Sequence, residues 1–419
     1  MTENINKTLY INIKGLYQIR ESQSKGLRNE AMNTCPHIED GFLLCEADRI
    51  LDYGSMKDLD ATLLSESDVH DLTGRYLFPT FVDSHTHLVF AASREGEFED
   101  RIRGLSYEEI ANKGGGILNS AKHLEHCSED QLFDDALKRL NTLIKFGTGV
   151  IEIKSGYGLS LDAELKILRV IRRLKEENLI PIKATFLGAH AIPKAYKQNR
   201  RAYIDLIINE MLPQIKSEQL ADYIDVFCEK NYFTVEETEE LMIAGKAHGL
   251  KPKLHVNQFN ALGAVEAGVR HGAISLDHLE EMTEMDFNHL AKSETIATAL
   301  PSCSFFLNIP YAPAKEMINR GITLALASDY NPGSTPSGNL SFVFSLACIK
   351  QKLTPEQALN ALTFNAACAI EMQNELGSIS KGKRANFIIT KPMPSLAYLP
   401  YSFGENQIET VVINGKHIN

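Results

Sequence analysis

The feature that most constrains this chain is a long middle section in which strand-like and helix-like runs alternate. Eight stretches read as strands: "RYLFPTFVD", "GVIEIKS", "PIKATFLG", "YIDVFCE", "PKLHVN", "AISLDH", "TIATALPS" and "ITLALAS". Several are unbroken apolar runs, as expected of parallel strands covered on both faces. Helical stretches fall between them. "TVEETEELMIAGKAHG" opens with a capping box, Thr234 with Glu237, and closes at Gly249. "SLDAELKILRVIRRLKEE" places Leu165, Leu168, Ile171 and Leu174 on one stripe. "TPEQALNAL" has Thr354 as N-cap and Pro355 at the first helical position. Strand–helix units repeated in this way predict an α/β fold, a (β/α)8 TIM barrel. The structural rival is a doubly wound open sheet. No G-x-G-x-x-G follows the first strand, which weakens the dinucleotide-binding version of that rival.

The two ends of the chain read differently, as short strands and turns. "KTLYINIKGLYQI" and "GFLLCEADRILDYG" lie near the start, "ANFIITKP" and "IETVVINGKHIN" near the end. Asn414-Gly415 between apolar runs is a strong hairpin signal. Neither end has enough strands to bury a face alone, so the two are expected to share one small β-domain. The expected division is 1–76 and 383–419 for that β-sandwich, with the barrel over 77–382. A chain of 419 residues is long enough for both.

A formal net charge of -11 argues against general nucleic-acid or anionic-membrane binding. No basic N-terminal run and no long uncharged apolar segment occurs, so neither a secretion signal nor a membrane span is expected. The cysteines number seven, an odd count without a C-x-x-C pair. Reduced thiols in the cytoplasm fit that pattern better than a disulfide framework or a zinc ribbon.

A barrel demands that functional residues gather where strands end and the following loops begin. Polar residues do lie there. His85 and His87 follow the first strand, Tyr157 the second and His190 the third; Glu229 ends the fourth, His255 the fifth, His278 the sixth and Asp329 the eighth. In "FVDSHTHLVF" the two histidines are separated by one residue, so on an extended chain they point the same way. His85, His87, His255 and Asp329 offer three nitrogens and one oxygen, a set that suits zinc, with ferrous iron a competitor. A cation held there lowers the pKa of bound water toward neutrality and makes hydroxide available. Asp329 can orient the water and take its proton, and His278 can polarise the carbonyl under attack. "KGGGI" (Lys113 to Ile117) lacks the Lys-Ser/Thr ending of a phosphate loop and reads as a turn or lid. "DYNPGSTPSGN" is a forced turn whose N–H groups, with Ser334, are also suited to an anion.

"FPTFVDSHTHL", "KLHVNQF", "LASDYNPG" and "LTPEQALNALTFNAACAIEM" with "GSISKGKRANFIIT" resemble the metal-dependent amidohydrolase superfamily. That resemblance implies a (β/α)8 barrel with a β-sandwich built from both chain ends. "HTHLVFAASREGEFEDRIRG", "EIKSGYGL", "FLGAHAIP", "DVFCEKNYF" and "SDYNPGS" narrow it to the branch that opens a cyclic amide. The implied small-molecule substrate is 4-imidazolone-5-propanoate, and the product N-formimino-L-glutamate. The same resemblance implies metal ligands at His85, His87, His255 and Asp329. It implies substrate contacts from Arg94, Tyr157, His190, Gln258, Asn331, Gly333 and Ser334, and places His278 beside the metal. Arg94 offers a planar fork for the propanoate, although a salt bridge with Glu95 or Glu97 is the plainer role. Gln258 stands where some members carry a carboxylate. A glutamine cannot remove a proton, so proton transfer falls to Asp329 with His278 assisting. One metal per chain is expected, zinc or iron, and Lys230 is not assigned as a ligand. A homodimer is the expected assembly. The rival enzyme reading is an aminohydrolase that deaminates a nucleobase-like ring; a barrel that has lost its chemistry should have lost these ligands.

Overall fold

A computed structural model describes residues 7–20, 25–105, 109–110 and 113–418. Five strands come first: β1 (Lys7–Tyr17), β2 (His37–Glu46), β3 (Arg49–Ser55), β4 (Asp68–Asp71) and β5 (Tyr76–Pro79). Eight more follow: β6 (Phe81–Asp83), β7 (Thr148–Lys154), β8 (Ile182–Ala189), β9 (Tyr223–Cys228), β10 (Lys251–Val256), β11 (Ser275–His278), β12 (Ile296–Ala299) and β13 (Leu324–Leu326). The last three are β14 (Phe387–Thr390), β15 (Ile408–Ile413) and β16 (Lys416–Ile418).

β6 to β13 pair in chain order, every neighbour parallel. Their ends meet across a seam. Thr86 and Tyr330 form a parallel bridge. Asp329 N donates to His85 O at 3.0 Å and His87 N to Tyr330 O at 2.8 Å. The Ser328 N–H and hydroxyl both reach the buried Asp83 carboxylate, at 3.0 and 2.5 Å. The seam therefore joins the two strand ends that carry His85, His87 and Asp329.

The other sheet runs β16-β15-β14-β5-β1-β2-β3, with β4 beside β1. Strands from both ends of the chain join in it, meeting where β14 pairs with β5, and bury a core of their own, including Tyr10, Leu16, Leu43, Leu77, Phe387 and Val412. Asn414 and Gly415 turn β15 into β16 with φ of 49° and 74°, the two left-handed residues of a tight hairpin. The expected capping boxes form at Thr234/Glu237 and Thr354/Gln357. Leu165, Leu168, Ile171 and Leu174 are all buried in the helix Leu161–Glu176. Among the described residues no helix is long and apolar enough to cross a membrane.

"RYLFPTFVD", expected as one strand, is two. β5 pairs with β14 and β1 in the mixed sheet, and β6 pairs with β7 in the barrel. Thr80 is the corner: its N–H goes to Asn386 O at 3.2 Å, while the next N–H, of Phe81, goes to Gly147 O at 2.9 Å. Opposite the corner, Phe81 faces Thr148 and Val82 faces Val150, so Gly149 is an extra residue in β7. Such a bulge bends the strand locally. A side chain at Gly149 would collide with Thr80, which is why glycine stands there.

Candidate active site and metal centre

The seam and the strand ends bring four side chains to one point. His85 Nε2 and His87 Nε2 lie 3.5 and 3.6 Å from Asp329 Oδ1. His255 Nε2 lies 3.4 Å from His87 Nε2. The donor atoms of His85, His87 and Asp329 are within 4.8 Å of one another, as are those of His85, His255 and His278. Four ligands about 2.1 Å from a common centre stand roughly 3.4 Å apart at the corners of a tetrahedron. The observed separations match that edge.

The imidazoles are oriented from behind. His85 Nδ1 is 2.7 Å from Asp277 Oδ2, and His255 Nδ1 is 3.0 Å from Asp225 Oδ2. A carboxylate only accepts, so His85 Nδ1 carries the proton and its Nε2 is left to face the cluster; Asp225 holds His255 through the close approach at Nδ1 and a hydrogen bond from the His255 backbone N–H to Oδ1 at 3.1 Å. Burial brings the His85 pKa down to about 4; neighbouring Lys154 and His255 push the same way, and Asp277 and Asp329 oppose it. Burial likewise holds His87 well below its ordinary value, with His190, His85 and His255 pushing the same way. Both rings are therefore neutral and have lone pairs to give. Burial alone would raise Asp329, but the imidazoles packed beside it, His85 first and then His278 and His255, bring its pKa below the usual carboxylate value. His85 Nε2 is buried and has no hydrogen-bond partner among the described residues. An unpartnered imidazole nitrogen within a cluster of three histidines and one carboxylate fits a zinc or iron ion.

His278 behaves in the opposite way. Burial would lower its pKa, yet Glu280, and after it Asp329 and Asp277, raise it above the ordinary value. Its Nδ1 is 3.5 Å from Glu280 Oε1. His278 and Leu279 both have left-handed backbones, φ 85° and 66°. Consecutive non-glycine residues there are strained, and such strain gathers at functional sites.

Beside the cluster is a chamber of about 50 Å³. His87, Tyr157, His190, His255, Gln258, His278, Asp329, Asn331, Ser334 and Arg94 line it, so most residues singled out in the sequence share one wall. His190 stacks on His87, rings 5.2 Å apart at 14°, and its Nδ1 donates to Gly156 O at 3.0 Å. Burial takes its pKa down to about 3, so the ring is neutral and Nε2 is an acceptor. Arg94 contacts Glu97 through Nε and Nη2 at 2.9 and 2.6 Å, the plainer role, while also facing the chamber. Gly333 packs against Arg94; an added Cβ would strike the guanidinium.

Some expectations come out differently. The N–H groups of Gly333 and Ser334 donate to Asn331 Oδ1 at 2.8 and 2.7 Å, so they are already occupied. Glu229 is a loop clamp: it accepts from the N–H groups of Lys230, Phe259 and Asn260. With Lys230 it lines a second, larger cavity of about 920 Å³, which shares Ile117 and Phe259 with the chamber. Phe227, Phe259, Ile117 and Leu307 complete the chamber wall, and no sequence signal set them apart from core residues. Asp225 and Asp277 were also unmarked, although an acidic residue inside an apolar strand is a readable sign.

A model of the amidohydrolase family matches residues 76–418. An imidazolonepropionase of Christiangramia forsetii is 54% identical over 410 residues, covering 98% of this chain and 99% of that protein. One from Flavobacterium johnsoniae is 53% identical over 411 residues, covering 98% of this chain and 100% of that protein. Among solved structures, a zinc-bound adenosine deaminase from Xanthomonas campestris superposes with a TM-score of 0.71, covering 98% of this chain and 92% of that one, at 15% identity; at that identity the likeness is one of fold. Members of the amidohydrolase family depend on metal, and the His/Asp cluster offers the ligands for one. Matched from the mixed sheet through the barrel, and at more than half identity along nearly its whole length, the chain belongs to the amidohydrolase family and, within it, to the imidazolonepropionases.

Proposed function

We propose that this chain hydrolyses the cyclic amide of 4-imidazolone-5-propanoate, adding one water to give N-formimino-L-glutamate in histidine degradation. The observation that carries this reading is the tetrahedral spacing of His85, His87, His255 and Asp329 beside a chamber that also holds Arg94. Those four side chains would hold one divalent cation, zinc or iron. When bound, such a cation supplies Lewis acidity that brings the pKa of a water molecule toward neutrality.

The chain's own groups do the rest. Asp329, ionised because its pKa is lowered, accepts the proton of the attacking water. His278, whose pKa is raised, donates a hydrogen bond to the amide oxygen as negative charge builds on it. Ring opening then needs a proton at the departing nitrogen, and Asp329 returns the one it took. Arg94 binds the propanoate through its guanidinium fork. Gln258 both donates to and accepts from the ring, and Tyr157 and His190 Nε2 contact its polar edge. Asn331, with its side chain bonded to Gly333, Ser334 and the Asp329 backbone, keeps the last loop against Arg94. We place the enzyme in the cytoplasm, where seven thiols stay reduced.

The test is direct. Protein loaded with zinc or iron, given fresh substrate, should remove the substrate's ultraviolet absorption and release formiminoglutamate. Stripping the metal with a chelator should abolish turnover, and adding it back should restore it. Folded, metal-loaded protein that leaves the substrate intact, or that releases ammonia from nucleobases instead, would overturn the assignment.

A further inference from the structure

Directly beneath the cluster lies a layer of charge with no contact to solvent. Glu152 and Lys154 on β7, Asp225 on β9 and Asp277 on β11 are each 0% exposed. Residues two apart on a strand share a face, and alternate strands of a barrel supply a common interior layer. β7, β9 and β11 are such a set. Lys154 Nζ lies 2.8 Å from Glu152, 2.9 Å from Asp225 Oδ2 and 3.7 Å from Asp277 Oδ2. The latter two oxygens are the ones that meet His255 Nδ1 and His85 Nδ1. One ammonium thus stands behind two of the three imidazoles through one intervening carboxylate each.

We propose that Lys154 is a positioning residue of the metal centre: it pins Asp225 and Asp277, and they fix the rings of His255 and His85. The inference rests on the metal-site reading above. The barrel core holds a second buried lysine for comparison. Lys253 Nζ donates to two backbone carbonyls, Ser84 O at 3.3 Å and Ala369 O at 3.2 Å. Lys253 stitches backbone, whereas the side-chain contacts of Lys154 are all carboxylates. Burial alone would lower the Lys154 pKa, but Asp225, Glu152 and Asp277 outweigh it and keep the group charged. Without that ammonium the lysine left beside the three carboxylates is Lys253, whose charge acts on Asp277 but whose hydrogen bonds go to backbone carbonyls; Glu152 and Asp225 lose the cation bonded to them, and like charges drive the group apart. Either Asp225 or Asp277 then shifts away from its imidazole, and the ring it held loses its heading.

The experiment measures metal affinity on the full chain. Metal-free protein is titrated with Zn²⁺ against a chromogenic chelator, and the thermal midpoint of the metal-free form is recorded alongside. Lys154→Met is expected to bind zinc roughly ten- to a hundredfold more weakly, the range for outer partners of metal-bound histidines. Glu152 touches neither imidazole, so Glu152→Gln alone should bind zinc as the parent does. Glu152→Gln combined with Lys154→Met removes one charge of each sign and guards against misfolding; it too should bind weakly. Adding Asp277→Asn to Lys154→Met should cost less than the two single losses combined, because both act on one ring. Parent-like affinity in folded Lys154→Met or in the charge-balanced double variant would overturn the proposal. So would additive losses, or failure of both Lys154 variants to fold, which would make Lys154 a residue of the core alone. A parent protein that binds no zinc would instead sink the metal-site reading itself.

Discussion

Asp329 carries three tasks in one carboxylate: it faces the histidine cluster, accepts a 3.4 Å contact from Ser334 Oγ and lies on the seam through its own N–H. Asp329→Asn keeps the shape and removes the proposed base. Turnover should fall by about 10²–10⁴, with circular dichroism unchanged; near-parental turnover would remove its proton role. Arg94→Ala should act on binding. Losing a charged hydrogen bond of about 1.5–3 kcal/mol predicts a KM some tenfold to a hundredfold higher with kcat little altered, read from initial rates. The histidines and Asp329 were legible because polar residues are out of place at the ends of apolar strands. Asp225, Asp277 and Lys154 were missed for the opposite reason. They lie inside runs that read as strand, where attention goes to the apolar neighbours.

At the scale of elements, periodicity located all eight barrel strands, and the capping boxes located helix starts. Thr234→Ala should cost about 1 kcal/mol of stability by chemical denaturation and leave KM unmoved, because the helix Val235–Ala247 lies outside the chamber wall. The corner at Thr80 was not legible. Pattern alone cannot divide one apolar run between two sheets; the bulge at Gly149 and the hydrogen bond to Asn386 do so, and both involve residues distant in sequence. Gly149→Ala forces a methyl into Thr80. A loss of about 1–3 kcal/mol is expected and is measurable as a lowered denaturation midpoint.

For the molecule as a whole, the buried neutral histidines set an acid limit. His85 has its pKa held down to about 4 in the fold, against about 6.5 in an unfolded chain. The unfolded form therefore takes up the proton first. The stability His85 contributes is whole above pH 6.5 and drains away as pH falls toward 4, on the order of 3 kcal/mol. His190, brought to about 3, and His87 add to the same trend, while His278, with its raised pKa, opposes it. Thermal midpoints of the metal-free protein at pH 7 and pH 5 test the sign; a higher midpoint at pH 5 would contradict it.

The mixed sheet joins strands from opposite ends of the chain at a single pairing: β5 lies between β1 and β14, with more than 300 residues separating its two partnerships. During synthesis the amino-terminal strands must therefore wait, one flank of β5 bare, until the ribosome has released residue 390. Throughout that interval the nascent chain presents an open edge to its neighbours. Stalled or prematurely ended translation should thus produce aggregates rather than a working half-enzyme.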